Sequence, residues 1–124
     1  MEAMMMNSLT MRVCLRRKRI FLTRHLIKGL GNPSHLSFWY DEANGKLFIS
    51  PAEKDDLDAY EIPRYFWADG RKRSCEVARI AFLKALQYRL GWVDGGAYLF
   101  EGAFAESGEV PAAVFDLANG NRLR

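Results

Sequence analysis

Two β-rich segments, Leu36–Tyr40 and Lys46–Ile49, flank the polar stretch Asp41–Gly45 and stop at Pro51, and this pattern constrains the fold more than any other in the chain. Asn44 and Gly45 accept the positive φ that a tight reversal requires, so the stretch predicts an antiparallel hairpin. A chain of 124 residues falls in the range of one domain. At 49% apolar and 27% charged it has the composition of an ordinary globular protein, which sets disorder aside and predicts a real core.

Upstream of the hairpin, Arg12–Leu15 and Arg19–Leu22 read as short strands with Arg16, Arg17 and Lys18 between them. Thr23 is placed to cap a short helix over Arg24–Leu30, which Gly31 and Pro33 bring to a stop. Residues 1–11, rich in methionine, show no periodicity; they read as a disordered leader, with Met11 as an alternative start of translation. Downstream, residues 52–73 form an acidic and aromatic connector: Glu53, Asp55, Asp56, Asp58 and Glu61 precede Tyr65, Phe66 and Trp67, whose rings are expected to dock on the core. Ser74 then reads as the N-cap of a long helix, Cys75–Leu90, closed by Gly91 and apolar on nearly all sides. A second hairpin, Tyr98–Phe104 and Val110–Leu117 around Glu106–Glu109, ends in a loose tail over 119–124.

The two halves run in the same order. Arg17-Lys18-Arg19 precedes the first helix and Arg71-Lys72-Arg73 the second; each helix ends in Leu-Gly, and each is followed by a hairpin with a glycine tip, Gly45 or Gly108. The spacing stretches along the pair, which marks a degenerate duplication. The expected fold is therefore α+β, with two diverged strand-helix-hairpin units, 12–51 and 74–118, forming one pseudo-dimeric, mainly antiparallel β-barrel-like core with two helices. In that arrangement the guanidinium-rich stretches lie side by side.

The stretch Lys18–Pro51 (KRIFLTRHLIKGLGNPSHLSFWYDEANGKLFISP) resembles the AbrB-like, swapped-hairpin group of bacterial transcription regulators, in its basic strand, short helix ending in Leu-Gly, strand, Gly turn and final strand near Pro. The resemblance implies interleaved units, supplied by one chain in the MraZ-type tandem branch. It also implies DNA reading by arginines of the first strand and following turn, here Arg12, Arg16, Arg17, Arg19 and Arg24. Thr23 stands where that group usually has Pro. The chain is similar as well to short proteins of clostridial bacteria and their mobile elements.

Net charge is only +3, so the charge distribution carries the argument. From Arg12 to Lys28 there are seven basic residues and no acidic one, which concentrates positive potential in one region. The candidate nucleic-acid-binding residues are Arg12, Arg16, Arg17, Lys18, Arg19, Arg24, Arg71, Lys72 and Arg73, with Tyr65, Phe66 and Trp67 as candidates to stack on bases. The same basic side chains also suit the simpler task of keeping strand edges soluble.

Catalytic chemistry finds no footing in the sequence. His25 and His35 lack metal-ligand neighbours, Asp55, Asp56 and Asp58 lack the Gly and terminal Glu of a calcium loop, and Gly95-Gly96 has no Lys-Ser or Lys-Thr after it. No enzyme activity, cofactor or metal is expected. Cys14 and Cys75 read as free thiols, and no run of about 18 apolar residues occurs. The expected setting is the bacterial cytoplasm. The expected function is DNA-binding transcription regulation on double-stranded DNA. The alternatives are an antitoxin-like module that binds a protein partner or a second copy through the helix Cys75–Leu90 and the connector, and a single-stranded nucleic-acid binder.

Overall fold

The computed structural model describes residues 8–105 and 110–123. Among these residues nine strands form one antiparallel sheet, eight of them in the order β5-β3-β4-β8-β7-β1-β2-β6, with β9 beside β7. With three helices this makes a mixed α+β fold whose sheet curls into a half-barrel.

Strand β1 (Ser8–Cys14) alternates strictly: Leu9, Met11 and Val13 are buried while Ser8, Thr10 and Arg12 face water. The period of two is that of a strand with one face on the core. Residues 8–11, expected to be a loose leader, are thus part of the sheet, pairing with β7 from Ser8↔Ala103 to Met11↔Phe100. A four-residue turn, in which Lys18 takes a left-handed φ of 56°, leads into β2 (Arg19–Thr23). Thr23 then caps α1 (Arg24–Gly29), its Oγ1 accepting from the Leu26 N–H at 3.1 Å. The expected hairpin forms as β3 (His35–Asp41) and β4 (Lys46–Ala52), with Gly45 at φ 66° and the Asp41 carboxylate accepting from Asn44.

The connector holds more structure than expected. Its residues supply β5 (Tyr60–Glu61), which pairs with β3, and α2 (Arg64–Ala68). The next element corrects the sequence reading: Ser74 is not a helix cap but the first residue of β6 (Ser74–Val77), which pairs with β2 from Thr23↔Ser74 to Ile20↔Val77. Cys75 and Val77 are buried while Ser74 and Glu76 are only half-buried, a strand alternation that merged with the helical pattern behind it. Helix α3 therefore spans only Ile80–Leu90, ending at Gly91 with φ 67°. It is buried on one side: Leu83 and Leu86 face the core while Ile80 and Tyr88 are exposed.

Strand β7 (Ala97–Ala105) is the longest. One edge pairs with β1; the other is shared by β8 (Ala112–Asp116) and, after a 3₁₀ turn (Leu117–Asn119), by β9 (Asn121–Arg122). The tail expected to be loose is thus pinned at Tyr98↔Arg122 and Leu99↔Asn121. Gly102 lies opposite Phe115, and a Cβ there would sit 2.2 Å from the Val114 carbonyl, so only glycine lets β7 and β8 approach this closely. The expected tip of this hairpin, including Gly108, lies outside the described residues, as do residues 1–7.

The core is continuous from Leu9 to Leu117, with Phe66, Phe100 and Phe115 its largest fully buried side chains. A tyrosine side chain bridges the two ends of the sheet. The Tyr60 hydroxyl on β5 donates to the Glu76 carbonyl at 3.3 Å and accepts from the Ala78 N–H at 3.2 Å, standing in for ladder bonds between β5 and β6. Burial raises its pKa above the ordinary tyrosine value. Among the described residues, no helix is long and apolar enough to cross a membrane.

Candidate nucleic-acid interface

The β1–β2 hairpin presents its basic residues on the outer face of the sheet because its alternation buries the others. Arg12 sits opposite Phe21, and Phe21 opposite Glu76, so one row runs across β1, β2 and β6. The Arg12 guanidinium lies 4.5 Å from the centre of the Phe21 ring, and Arg17 folds back from the turn to 5.3 Å from the same ring. Each such contact is worth about 0.5–1 kcal/mol at an exposed site. Phe21 is left only 7% exposed, although it points away from the core. Arg17 also pairs with Glu76 at 3.4 Å. Arg19 turns its guanidinium onto the Lys18 carbonyl at 3.1 Å and the Arg17 carbonyl at 3.4 Å, fixing the turn. Arg16 and Lys18 are exposed, and their side chains have no hydrogen bond or ion pair among the described residues.

These residues enclose a concavity of about 380 Å³ lined by Arg12, Cys14, Arg16, Arg17 and Phe21, with Gly95, Ala97 and Leu123 on the far wall. Glu76, on Arg17, is the one acid in ion-pair distance of the hairpin among the described residues.

Arg24 proves to be a structural residue. Its guanidinium donates to the carbonyls of Lys72 (2.5 Å), Phe66 (2.7 Å) and Asp69 (3.0 Å), while its backbone N–H donates to the Arg73 carbonyl at 2.7 Å. It also stacks over Phe66 at 3.9 Å. The Nε–H and both Nη2 hydrogens of the side chain are thereby occupied, and a phosphate would have to compete with backbone carbonyls for them. Phe66 is likewise withdrawn from the stacking candidates, because it is fully buried beneath Arg24. Tyr65 and Trp67 are exposed, at 42% and 39%.

Arg71, Lys72 and Arg73 form the loop that Arg24 ties down. Arg71 pairs with Asp69 at 3.9 Å, and the Lys72 ammonium lies 5.7 Å from the Tyr65 ring. This loop does not lie beside the first cluster as expected. Because β2 and β6 are antiparallel, the 71–73 loop meets the end of β2 at Thr23, whereas Arg16–Lys18 precede its start at Arg19. The five residues of β2, about 16 Å at ~3.3 Å each, separate the two.

The structural role of Arg24 was hidden within a basic run. Its one distinguishing sign is its place directly after the cap, where a long side chain can reach back past the helix start. Cys75, on the inner face of β6, has its thiol pushed up to about 11 by burial, with Glu76 adding to the effect. No group of three or more His, Cys, Asp or Glu side chains that could hold a metal gathers among the described residues. No family model, curated protein or solved structure matches the chain.

Proposed function

We propose that this chain is a DNA-binding protein of the transcription-regulator kind that meets the phosphate backbone with its β1–β2 hairpin. The observation that carries the reading is the state of the Arg16 and Lys18 side chains: both are exposed and without a partner among the described residues, beside Arg12 and Arg17, which are held over Phe21. Guanidinium groups fixed on a ring lose less freedom when they bind, and a fork of N–H donors matches phosphate oxygens.

The reading includes an AbrB-like ancestry with an internal duplication. Two series, β2-α1-β3-β4 and β6-α3-β7-β8, share one order of elements, and the corresponding members β2 with β6 and β4 with β8 pair antiparallel. Copies related by a two-fold axis would pair in this way. In this reading Arg71–Arg73 are the counterpart of the hairpin cluster, diverted to hold α2.

The test is fluorescence anisotropy of a mixed-sequence, covalently closed duplex at several salt concentrations. Binding at low salt that weakens on the order of 10³-fold between 50 and 200 mM is expected for about six phosphate contacts. Absence of binding at low salt, or affinity indifferent to salt, rejects the proposal.

A second reading has its own observation. Trp39 (60% exposed) lines a groove between β3 and α3 together with Phe38, Phe82 and Leu86, a surface suited to a protein partner. Self-association in sedimentation that Trp39→Ser abolishes would favour it.

A further inference from the structure

We infer that the concavity under the β1–β2 turn is a binding site for a phosphomonoester carried on a nucleoside, either a free nucleotide or the phosphorylated end of a strand. The inference deepens the DNA reading but does not require it, because it concerns a pocket and not a long basic surface.

Charge is the first argument. The pocket brings together the guanidinium groups of Arg12, Arg16 and Arg17, and only Glu76 answers them, through Arg17. Two positive charges are left over. A phosphodiester inside a chain carries one negative charge, as does a carboxylate, whereas a phosphomonoester carries about 1.5 to 2 at neutral pH. The dianion is the group that balances the site.

Shape is the second argument. A volume of about 380 Å³ exceeds what a bare ion fills and lies at the lower end of small-molecule sites, about 300–1,000 Å³. The remaining wall is apolar or neutral, formed by Phe21, Ala97, Leu123 and Cys14. Such a wall suits the sugar and base of one nucleotide and gives a second phosphate no cation of its own. Preorganisation is the third argument: Arg12 and Arg17 are already stacked on Phe21, and Arg16 is the remaining uncommitted donor at the rim.

Cys14 supplies the assay, since it lines the pocket while Cys75 is fully buried with a thiol pushed up to about 11. Alkylation of the intact chain by a maleimide should therefore mark Cys14, with Cys75 as the unreactive reference. Deoxyadenosine 5′-monophosphate is expected to slow that alkylation, and deoxyadenosine is not. Arg16→Ala, at an exposed turn position, should raise the protecting concentration about tenfold or more. Equal protection by nucleotide and nucleoside, no protection at about 10 mM nucleotide, or an unchanged response in both Arg16→Ala and Arg17→Ala overturns the inference.

Short single strands with a 5′-phosphate or a 5′-hydroxyl separate the two sources. Stronger protection by the phosphorylated strand than by the free nucleotide assigns the site to strand ends; the reverse assigns it to a nucleotide ligand. The closed duplex has no end and reports on the DNA reading alone. Duplex binding without nucleotide protection therefore overturns only the pocket, and protection without duplex binding overturns only the regulator.

Discussion

Arg16-Arg17-Lys18 and Arg71-Lys72-Arg73 are nearly the same word in the sequence, yet the fold uses them in opposite ways. The first is the tip of a hairpin whose side chains point outward, two of them without a partner among the described residues and one leaning on Phe21. The second is a loop whose backbone carbonyls face inward onto Arg24. The difference lies less in the basic side chains than in the carbonyls of their neighbourhood. In the 15–18 turn, carbonyls are served by the turn itself and by Arg19; in the 66–73 segment they converge on one guanidinium. A basic run keeps its side chains free where the backbone around it needs no further donors.

The largest expected effect tests the structural side of that contrast. Arg24→Ala strands the carbonyls of Phe66, Asp69 and Lys72 and uncovers Phe66, so unfolding in urea should show a loss of about 3–4 kcal/mol. A loss under about 1 kcal/mol would show that Arg24 is no more committed than the hairpin arginines. Next comes the binding side. Replacing Arg16, Arg17 and Lys18 together by Ala should weaken duplex binding on the order of 10²-fold and lower the salt slope by about three, with stability changed by less than about 1 kcal/mol. The matching change of Arg71, Lys72 and Arg73 should alter affinity by less than about threefold; equal losses from both variants would erase the distinction.

A smaller effect belongs to the bridge that holds β6 and, through it, the second cluster. Tyr60→Phe leaves the Ala78 N–H and Glu76 carbonyl without a partner and should cost about 1–2 kcal/mol. Amide exchange should quicken at Ala78 and Ser74 but not at Lys18, and uniform quickening would mean that the two clusters do not move separately. A separate effect is alkaline. Cys75 has an ordinary pKa of 9.0 and a folded value of about 11. A raised folded value means that the unfolded chain loses its proton first, so this contribution is complete below pH 9 and is lost as pH rises through 11. Tyr60, also raised, adds in the same direction. Urea midpoints measured from pH 8 to 11 should fall, and Cys75→Ala should flatten the fall without removing it. The hairpin variant should retain the full decline.

Local signals in the sequence led to the local elements. Asn44-Gly45 marked the β3–β4 turn, Thr23 the start of α1 and Gly91 the end of α3, because each acts within a few residues of itself. The alternation Leu9, Met11, Val13 was present too, but the methionine-rich stretch ahead of it drew residues 8–11 into a supposed leader. Strand β6 was not legible, because its partner β2 lies some fifty residues away and its Cys75–Val77 run joins smoothly with the helical residues after it. At the site, the exposed hairpin cluster followed from the run of basic residues between two strand-like segments. That Arg24 and Phe66 would be absorbed into the fold did not, since both depend on where the carbonyls of Phe66, Asp69 and Lys72 end up.

Strand β1 lies well inside the sheet, between β2, its neighbour in sequence, and β7, some ninety residues later. During synthesis, one edge of β1 therefore stays unpaired until Ala97–Ala103 have left the ribosome. At about 5–20 residues per second, that wait lasts on the order of ten seconds. The row Leu9, Met11 and Val13 is exposed to other chains throughout it. Wherever expression outruns the supply of chaperones, this early strand is the place from which aggregation of nascent chains would start.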